Sequence, residues 1–386
     1  RQRQMCIRDS PMSAILVTGC YAQLEKNIIE ALDERVITFA GDKKDSLSLL
    51  PKYIKDRLGN GISLVNWVLV KNIVMSFRDS YESIVTTHFL PKHPMFALSA
   101  PIFMFHSRAT LKVEDGCNNA CTFCRIRLAR GKAVSLPIDE VIKRAKEIEK
   151  MGSSEVVITG VNLYQYKSDS YDFAGLLAKL IENTSHIRVR ISSLYPESIT
   201  SALLLIISDD RIVPHFHLSI QSGCDEILRK MGRLYKRSDI YRAVNLIREA
   251  KAKPFIGCDI ITGFPSETDE FFLQTESMCK ELKFTGIHAF PFSARPGTKA
   301  FDMKPKISER LACQRVEVLN LIAKQNYREL VTISYSMSVL SFLSKTNLRL
   351  IFFFRKLCLY TRLGHFKTRS LFSNFITYCN VHDFQD

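Results

Sequence analysis

Short apolar runs separated by amphipathic stretches recur along most of this chain. Ile15-Leu16-Val17-Thr18 and Val36-Ile37-Thr38-Phe39 have the continuous apolar character of buried strands, and residues 21–32 between them carry helical spacing. Gly41-Asp42-Lys43-Lys44 then leads toward another helix, so residues 13–50 are expected to form one α/β unit. Residues 51–105 hold helix-like patches followed by a loop marked by Pro91, Pro94 and Pro101. From 106 to 300 the alternation becomes regular. Strands are expected at 111–114, 155–160, 189–194, 216–221, 255–261 and 286–291, with helices such as 138–150 and 237–251 between them. Strands that alternate with helices in this way argue for parallel βα units.

The chain has 386 residues and 46% hydrophobic content, enough for two or three domains with a substantial core. No run of 18 apolar residues occurs, so a membrane span is not expected. The stretch 348–360 comes nearest and is interrupted by Arg349, Arg355 and Lys356. Arg1-Gln2-Arg3-Gln4 lacks the apolar segment of a secretory signal, and a cytoplasmic location is expected. Net charge is +15, which favours a polyanionic partner such as nucleic acid. A generically basic surface accounts for the same number, so charge alone does not decide.

Of the eleven cysteines, three crowd into Gly116-Cys117-Asn118-Asn119-Ala120-Cys121-Thr122-Phe123-Cys124 at the spacing C-x3-C-x2-C. Soft sulfur ligands this close suit an iron–sulfur cluster or zinc. Structural zinc wants a fourth ligand, usually from a second Cys or His pair, and none stands nearby. Three thiolates on a four-iron cluster leave one iron open for a substrate or cofactor. The same residues at i, i+4 and i+7 also fit a buried stripe on one helix, because free cysteine packs as a small hydrophobe. Gly116, Asn118 and Asn119 are poor helix formers in the turn that would carry such a stripe, which favours the metal reading.

C-x3-C-x-aromatic-C, with Phe123 as the aromatic, resembles the signature of the radical S-adenosylmethionine (SAM) enzymes. The resemblance implies a [4Fe–4S] cluster on Cys117, Cys121 and Cys124 whose open iron chelates SAM, and reductive cleavage of SAM to a 5′-deoxyadenosyl radical. It implies a partial (βα)6 TIM-type barrel, with the site at the C-terminal ends of the strands. Further motifs fall at those ends. Thr159-Gly160-Val161-Asn162 matches the segment that holds the SAM amino and carboxylate groups, although as a tetrapeptide it is also an ordinary strand-ending turn. In His217-Leu218-Ser219-Ile220-Gln221-Ser222-Gly223, alternation puts Ser219 and Gln221 on the barrel side, where they are candidates for the SAM ribose. His217 shares their parity and is equally readable as a core histidine. Gly263 lies in the fifth-strand segment that packs against adenosine, where glycine permits close backbone approach, and Glu267 is a candidate cap for the next helix. Phe290 belongs to the stretch expected near adenine, and Ser193 to the third strand end. Among the basic residues, Arg233 is a candidate partner for the SAM carboxylate or a phosphate, with a surface arginine as the plain alternative.

Thr18-Gly19-Cys20-Tyr21-Ala22-Gln23 resembles the third-cysteine motif of the methylthiotransferase N-terminal domain, which carries a second [4Fe–4S] cluster on three cysteines. Cys20 is therefore expected to be a ligand of an auxiliary site that is incomplete as written. Nineteen residues precede it, and Arg1 to Ser10, with Cys6, do not match the pattern. Taken together the motifs resemble the radical SAM methylthiotransferases over about 13–50 and 106–330. The closest branch is the one acting on N6-threonylcarbamoyladenosine in tRNA, on Ser192-Ser193-Leu194-Tyr195-Pro196-Glu197, the His217 segment and His288-Ala289-Phe290-Pro291-Phe292-Ser293. The isopentenyladenosine-tRNA branch, the ribosomal-protein branch and a non-catalytic metal- or RNA-binding fragment are the alternatives. The expected organisation is a partial methylthiotransferase α/β domain at 1–95, a radical SAM barrel at 106–330, and a basic, aromatic tail at 331–386 in place of a TRAM domain. Implied partners are tRNA, SAM and an electron donor such as flavodoxin or ferredoxin, with no membrane.

Overall fold

The computed structural model describes residues 13–40, 47, 49–58, 67–80, 96 and 108–345, with side chains as far as 332. Contacts divide the chain into one unit, Arg1–Tyr327, and a second, Arg328–Asp386, whose described part is helical to Lys345. Residues 1–12, Gly41 to Lys44, the prolines of 81–107 and residues 346–386, on which expectations were stated above, lie outside the described residues.

The first unit opens with two parallel strands, β1 (Ile15–Thr18) and β2 (Val36–Phe39), paired Ile15 to Val36 through Thr18 to Phe39. Between them the chain forms two five-residue helices, α1 (Cys20–Leu24) and α2 (Lys26–Glu30), where spacing predicts one continuous helix over 21–32. The break is at Glu25, whose backbone leaves the helical region while its carboxylate reaches Arg125, 2.7 Å away. A tertiary ion pair has overridden local propensity. Helices α3 (Leu50–Leu58) and α4 (Trp67–Asp79) follow, and Phe39, Leu50, Val74 and Phe77 close a small core.

The larger part of this unit is a curved sheet of parallel strands: β3 (Ala109–Lys112), β6 (Glu155–Thr159), β7 (Arg188–Ile191), β8 (His215–Gln221), β9 (Phe255–Thr262) and β10 (Gly286–Pro291). They hydrogen-bond as β3-β6-β7 and β8-β9-β10. Parallel pairings of Val189 with Ile212 and of Leu194 with Leu218 carry the sheet across the join. The strands therefore neighbour one another in chain order, the arrangement of a partial (βα)6 barrel. One expected strand is displaced. The run predicted at 111–114 is β3 ending at Lys112, after which Glu114–Asp115 (β4) pairs antiparallel with Val134–Ser135 (β5). The hairpin encloses the cysteine loop and the short helix α5 (Ile126–Arg130).

Burial alternates along the strands, and the fully buried positions are those packed under the helices. In β8 they are Phe216, Leu218 and Ile220, while His215, His217 and Ser219 remain part-exposed on the lumen side. α6 (Ile138–Lys150) buries Ile138, Val141, Ala145 and Ile148, a stripe at helical spacing, with Asp139 and Glu140 favourably placed in its first turn. α7 (Phe173–Asn183), α8 (Ser201–Ile207), α9 (Asp225–Met231), α10 (Arg237–Ala250), α11 (Asp269–Glu281) and α12 (Lys299–Asp302) continue the outer layer, and α13 (Glu309–Lys345) is the last described element. The side chains of Asp172, Thr200 and Thr268 cap α7, α8 and α11.

Thr268 thus holds the capping place for which Glu267 was the candidate. Glu267 is instead 2% exposed, accepts a hydrogen bond from Gly263 N at 2.6 Å, and pairs with the equally buried Arg315 at 2.6 Å. The crowding at Gly263 also has its own origin: a Cβ there would lie 2.5 Å from Ala312 Cβ, and φ is +70°. Replacing Arg315 by Met strips a buried carboxylate of its counter-charge, a change that costs about 3–5 kcal/mol. Equilibrium denaturation of Arg315→Met is expected to fall in that range, and Glu267→Gln with Arg315→Met to recover part of it.

Candidate active site

The loop from Gly116 to Cys124 makes almost no regular structure, and other segments impose its shape. Gly116 is at φ +80°, and a Cβ there would sit 2.1 Å from Lys132 O, so only glycine lets the hairpin close over the loop. Cys117 N donates to Gly131 O at 3.2 Å. Asn118 and Asn119 are tied in by their own amides: Asn118 N donates to Gln165 Oε1, Gln165 Nε2 donates to Asn119 Oδ1, and Ala133 N donates to Asn118 Oδ1. Thr122 anchors the far side, donating from its N to Met231 O at 2.9 Å and from its hydroxyl to Lys230 O at 2.8 Å, while Ala300 N donates to Thr122 O.

Cys117, Cys121 and Cys124 are all free and line one cavity of about 80 Å³ together with Asn119, Phe123, Ile126, Arg127, Val161, Tyr195 and Arg233. A single water needs only ~10–15 Å³, so the space is more than a packing defect. The sulfurs are not a buried helical stripe: 117–124 is loop, and the three thiols face each other closely enough to feel one another's charge. Asn119 N donates to Cys117 Sγ and Ile126 N to Cys124 Sγ, each at 3.4 Å. Burial pushes the Cys117 and Cys121 thiols up, and on Cys121 the Arg233 charge works the other way. Metal binding would carry the deprotonation.

Polar atoms without partners surround the same cavity. Arg233 lies 5.1–5.8 Å from the rings of Tyr195, Phe123 and Tyr235, and its Nε and Nη1 are buried with no hydrogen-bond partner. Asn162, 2% exposed, points Nδ2 toward Cys117 Sγ at 3.9 Å and leaves Oδ1 unpaired. Three sulfurs with no fourth protein ligand among the cavity-lining residues, beside an unsatisfied cation and amide, fit a cluster with one open iron and a charged amino-acid ligand. They do not fit closed four-coordinate zinc.

The other expected residues divide between two places. Thr159 ends β6 and Gly160 follows it; a Cβ on Gly160 would lie 2.7 Å from Leu163 and 2.9 Å from Glu114 Oε2. Phe123 packs edge-on to Phe264. Ser193 follows β7 in the segment leading to Tyr195, and Tyr195 rather than Ser193 lines the cavity. Ser219 lies on the lumen wall, 3.5 Å from Asp259, and Phe290 is half exposed on β10. Gln221 departs from the simple alternation: a bulge falls between Leu218 and Gln221, and Gln221 takes φ +65° and is buried. Cys20 starts α1, and its Sγ accepts from Arg130 Nε at 3.1 Å.

Sequence reasoning missed Glu114 and Asp115. Asp115 binds Lys112, Arg130 and Gly116 N. Glu114 is fully buried; its Oε2 accepts from Asn162 N at 2.7 Å, and its Oε1 has no partner. Two acids directly before Gly116 at a strand end were the available signal.

The class defined by this barrel and this cysteine loop is that of the radical SAM enzymes, and residues 111–279 match the Radical SAM superfamily. The chain is 48% identical over 360 residues to the threonylcarbamoyladenosine tRNA methylthiotransferase MtaB of Treponema pallidum (strain Nichols), covering 84% of this chain and 75% of that protein. It is 33% identical over 325 residues to MtaB of Aquifex aeolicus (strain VF5), covering 83% and 74%. The match to the tRNA-2-methylthio-N(6)-dimethylallyladenosine synthase of Clostridium tetani (strain Massachusetts / E88) is shorter, 34% over 231 residues, or 58% of this chain and 51% of that one. The chain belongs to the MtaB family of radical SAM tRNA methylthiotransferases.

Burial raises Glu114 from 4.5 to about 7, against the lowering effect of the Asn162 and Val161 amides. Below 4.5 the carboxyl is protonated whether the chain is folded or not. Between 4.5 and about 7 the folded state holds the extra proton, so stability falls as pH rises, by up to about 3 kcal/mol across the window. Glu114→Gln keeps the acceptor and removes the titration. Its denaturation midpoint is expected to change less between pH 5 and pH 7.5 than that of the parent chain.

Proposed function

We propose that this chain methylthiolates C2 of N6-threonylcarbamoyladenosine next to the anticodon of tRNA, using a [4Fe–4S] cluster and SAM. What carries the reading is the cavity itself: three free thiols with no fourth protein ligand among the cavity-lining residues, beside the buried Arg233 guanidinium whose Nε and Nη1 have no hydrogen-bond partner, in a chain of this family. In it Cys117, Cys121 and Cys124 hold the cluster. Once bound there and reduced by one electron, the cluster with SAM would supply the 5′-deoxyadenosyl radical chemistry needed to remove hydrogen from C2 of the adenine.

The remaining roles belong to protein groups. Arg233 offers a rigid fork of donors to the SAM carboxylate, and its aromatic surround keeps water off that pair. Glu114 holds the Val161–Asn162 backbone so that Thr159, Gly160 and Asn162 meet the amino-acid end of SAM. Ser193, Ser219, Gln221, Gly263, Phe123 and Phe290 are assigned to the nucleoside end. Cys20 is assigned to the auxiliary sulfur-donating cluster. The domain division that goes with this reading is 1–95, 106–330 and 331–386. A low-potential one-electron donor of the flavodoxin or ferredoxin kind is required, and a cytoplasmic location suits a tRNA substrate. Among the described residues no helix is long and apolar enough to cross a membrane.

Anaerobic reconstitution with iron and sulfide is expected to give a brown protein that cleaves SAM to 5′-deoxyadenosine under reduction. Cys117→Ala should abolish that cleavage. A colourless protein, stoichiometric zinc, or cleavage surviving the substitution overturns the reading. Nucleoside mass spectrometry of tRNA from complemented cells then reports sulfur insertion separately from SAM cleavage.

A further inference from the structure

Apart from Ser219, the polar wall of the barrel lumen has no part in the steps above. On β8, β9 and β10 the part-exposed positions His215, His217, Ser219 and Asp259 and the exposed His288 alternate with residues packed outward. His217 Nε2 lies 2.9 Å from Asp259 Oδ1, and His288 Nδ1 lies 3.6 Å from the same oxygen. Ser219 Oγ is 3.5 Å from Asp259 Oδ2, and the His217 and His288 rings are 5.0 Å apart. The wall continues through Arg190 and Arg108, which pair with Glu155 Oε1 at 2.5 and 3.2 Å. His215 stacks on Phe255; burial, then the charges of Arg190 and His217, push it down to about 4, so it stays neutral. His288 is exposed, and the cluster opens to solvent.

A lumen built this way discriminates between substituents on a base. An alkyl chain pressed against it would strip water from Asp259, His217 and Arg190 and return no hydrogen bond. A substituent with N–H, hydroxyl, carbonyl and carboxylate groups would replace that water. Sites of the second kind reject the apolar analogue strongly, because rejection comes from buried polar groups left unpaired.

We propose that His217, Asp259 and His288, with Arg190 beside them, form the pocket for the polar amino-acid substituent on N6 of the target adenine. Asp259 accepts from its N–H or hydroxyl; the imidazoles and the guanidinium donate to its carbonyl and carboxylate. This rests on the function proposed above and names the residues that set its substrate preference. A metal ion is the rival occupant, since the ligand atoms of the three side chains lie within 4.8 Å of one another.

The test uses the reconstituted full chain and anticodon stem-loops carrying threonylcarbamoyladenosine, dimethylallyladenosine or plain adenosine at the target position. Variants are His288→Leu, which alters an exposed side chain, and Asp259→Leu. Methylthiolation of the threonylcarbamoyl stem-loop by the parent chain reports on the function itself. In the variants, kcat/KM on that stem-loop is expected to fall at least tenfold, mostly through KM, with iron content and tRNA-independent SAM cleavage unchanged. The preference over the other stem-loops should shrink in step. Where the parent chain makes no product, fluorescence anisotropy with the same stem-loops decides by the loss or retention of a binding preference. The proposal is overturned by an undiminished preference, by SAM cleavage falling in parallel, or by a stoichiometric metal ion that His288→Leu removes.

Discussion

A nine-residue loop has to present three sulfurs to one point, and it has no hydrogen-bonded ladder of its own to do so. Backbone donors and acceptors in such a loop must still be paired, and here they are paired with neighbours whose positions the barrel sets. Gly131, Met231 and Ala300 meet the main chain of the loop, and Gln165 meets its two asparagines. Removing the loop from the barrel would leave the spacing of the cysteines intact and their convergence lost. The buried Glu114 belongs to the same scheme. It bridges the strand that enters the loop to the turn after β6, at the cost of sitting where a charge is poorly solvated.

The barrel divides its residues by parity. Outward positions are Ile, Leu, Val and Phe packed beneath amphipathic helices, and they account for most of the core. Inward positions are freed from packing duty and carry imidazoles, a carboxylate and an arginine along the wall, while the thiols and the Arg233 guanidinium come from loops beyond the strand ends.

The β1–α1 segment meets the barrel at the same loop. Arg125 and Arg130, on either side of α5, reach Glu25 and Cys20, and Arg130 also holds Asp115. A chain of contacts therefore runs from Cys20 through Arg130 and Asp115 to the amide of Gly116, one residue from Cys117. The guanidinium that bridges a thiol and a carboxylate is a permanent cation with donors fixed in a plane, suited to holding the two segments in register.

Much of this was legible in the residues alone. Period-two and period-3.6 patterns are local, so β6, β8, β9, β10, α6 and α10 fall within a residue or two of where hydrophobic spacing puts them. The cysteine trio was legible for a chemical reason: sulfur at that spacing, flanked by glycine and asparagine, has few uses. Non-local facts were not. Glu25 breaks its helix because Arg125, a hundred residues away, is there to meet it. Gly263 is crowded by Ala312, and Glu267 is neutralised by Arg315, both from a helix with no sequence link to them. His217, Asp259 and His288 come from three strands, and only closure of the sheet brings their side chains to one oxygen. Pattern determines which face a residue takes; which other faces it meets is decided by how the strands wrap, because that depends on contacts the whole chain must satisfy at once.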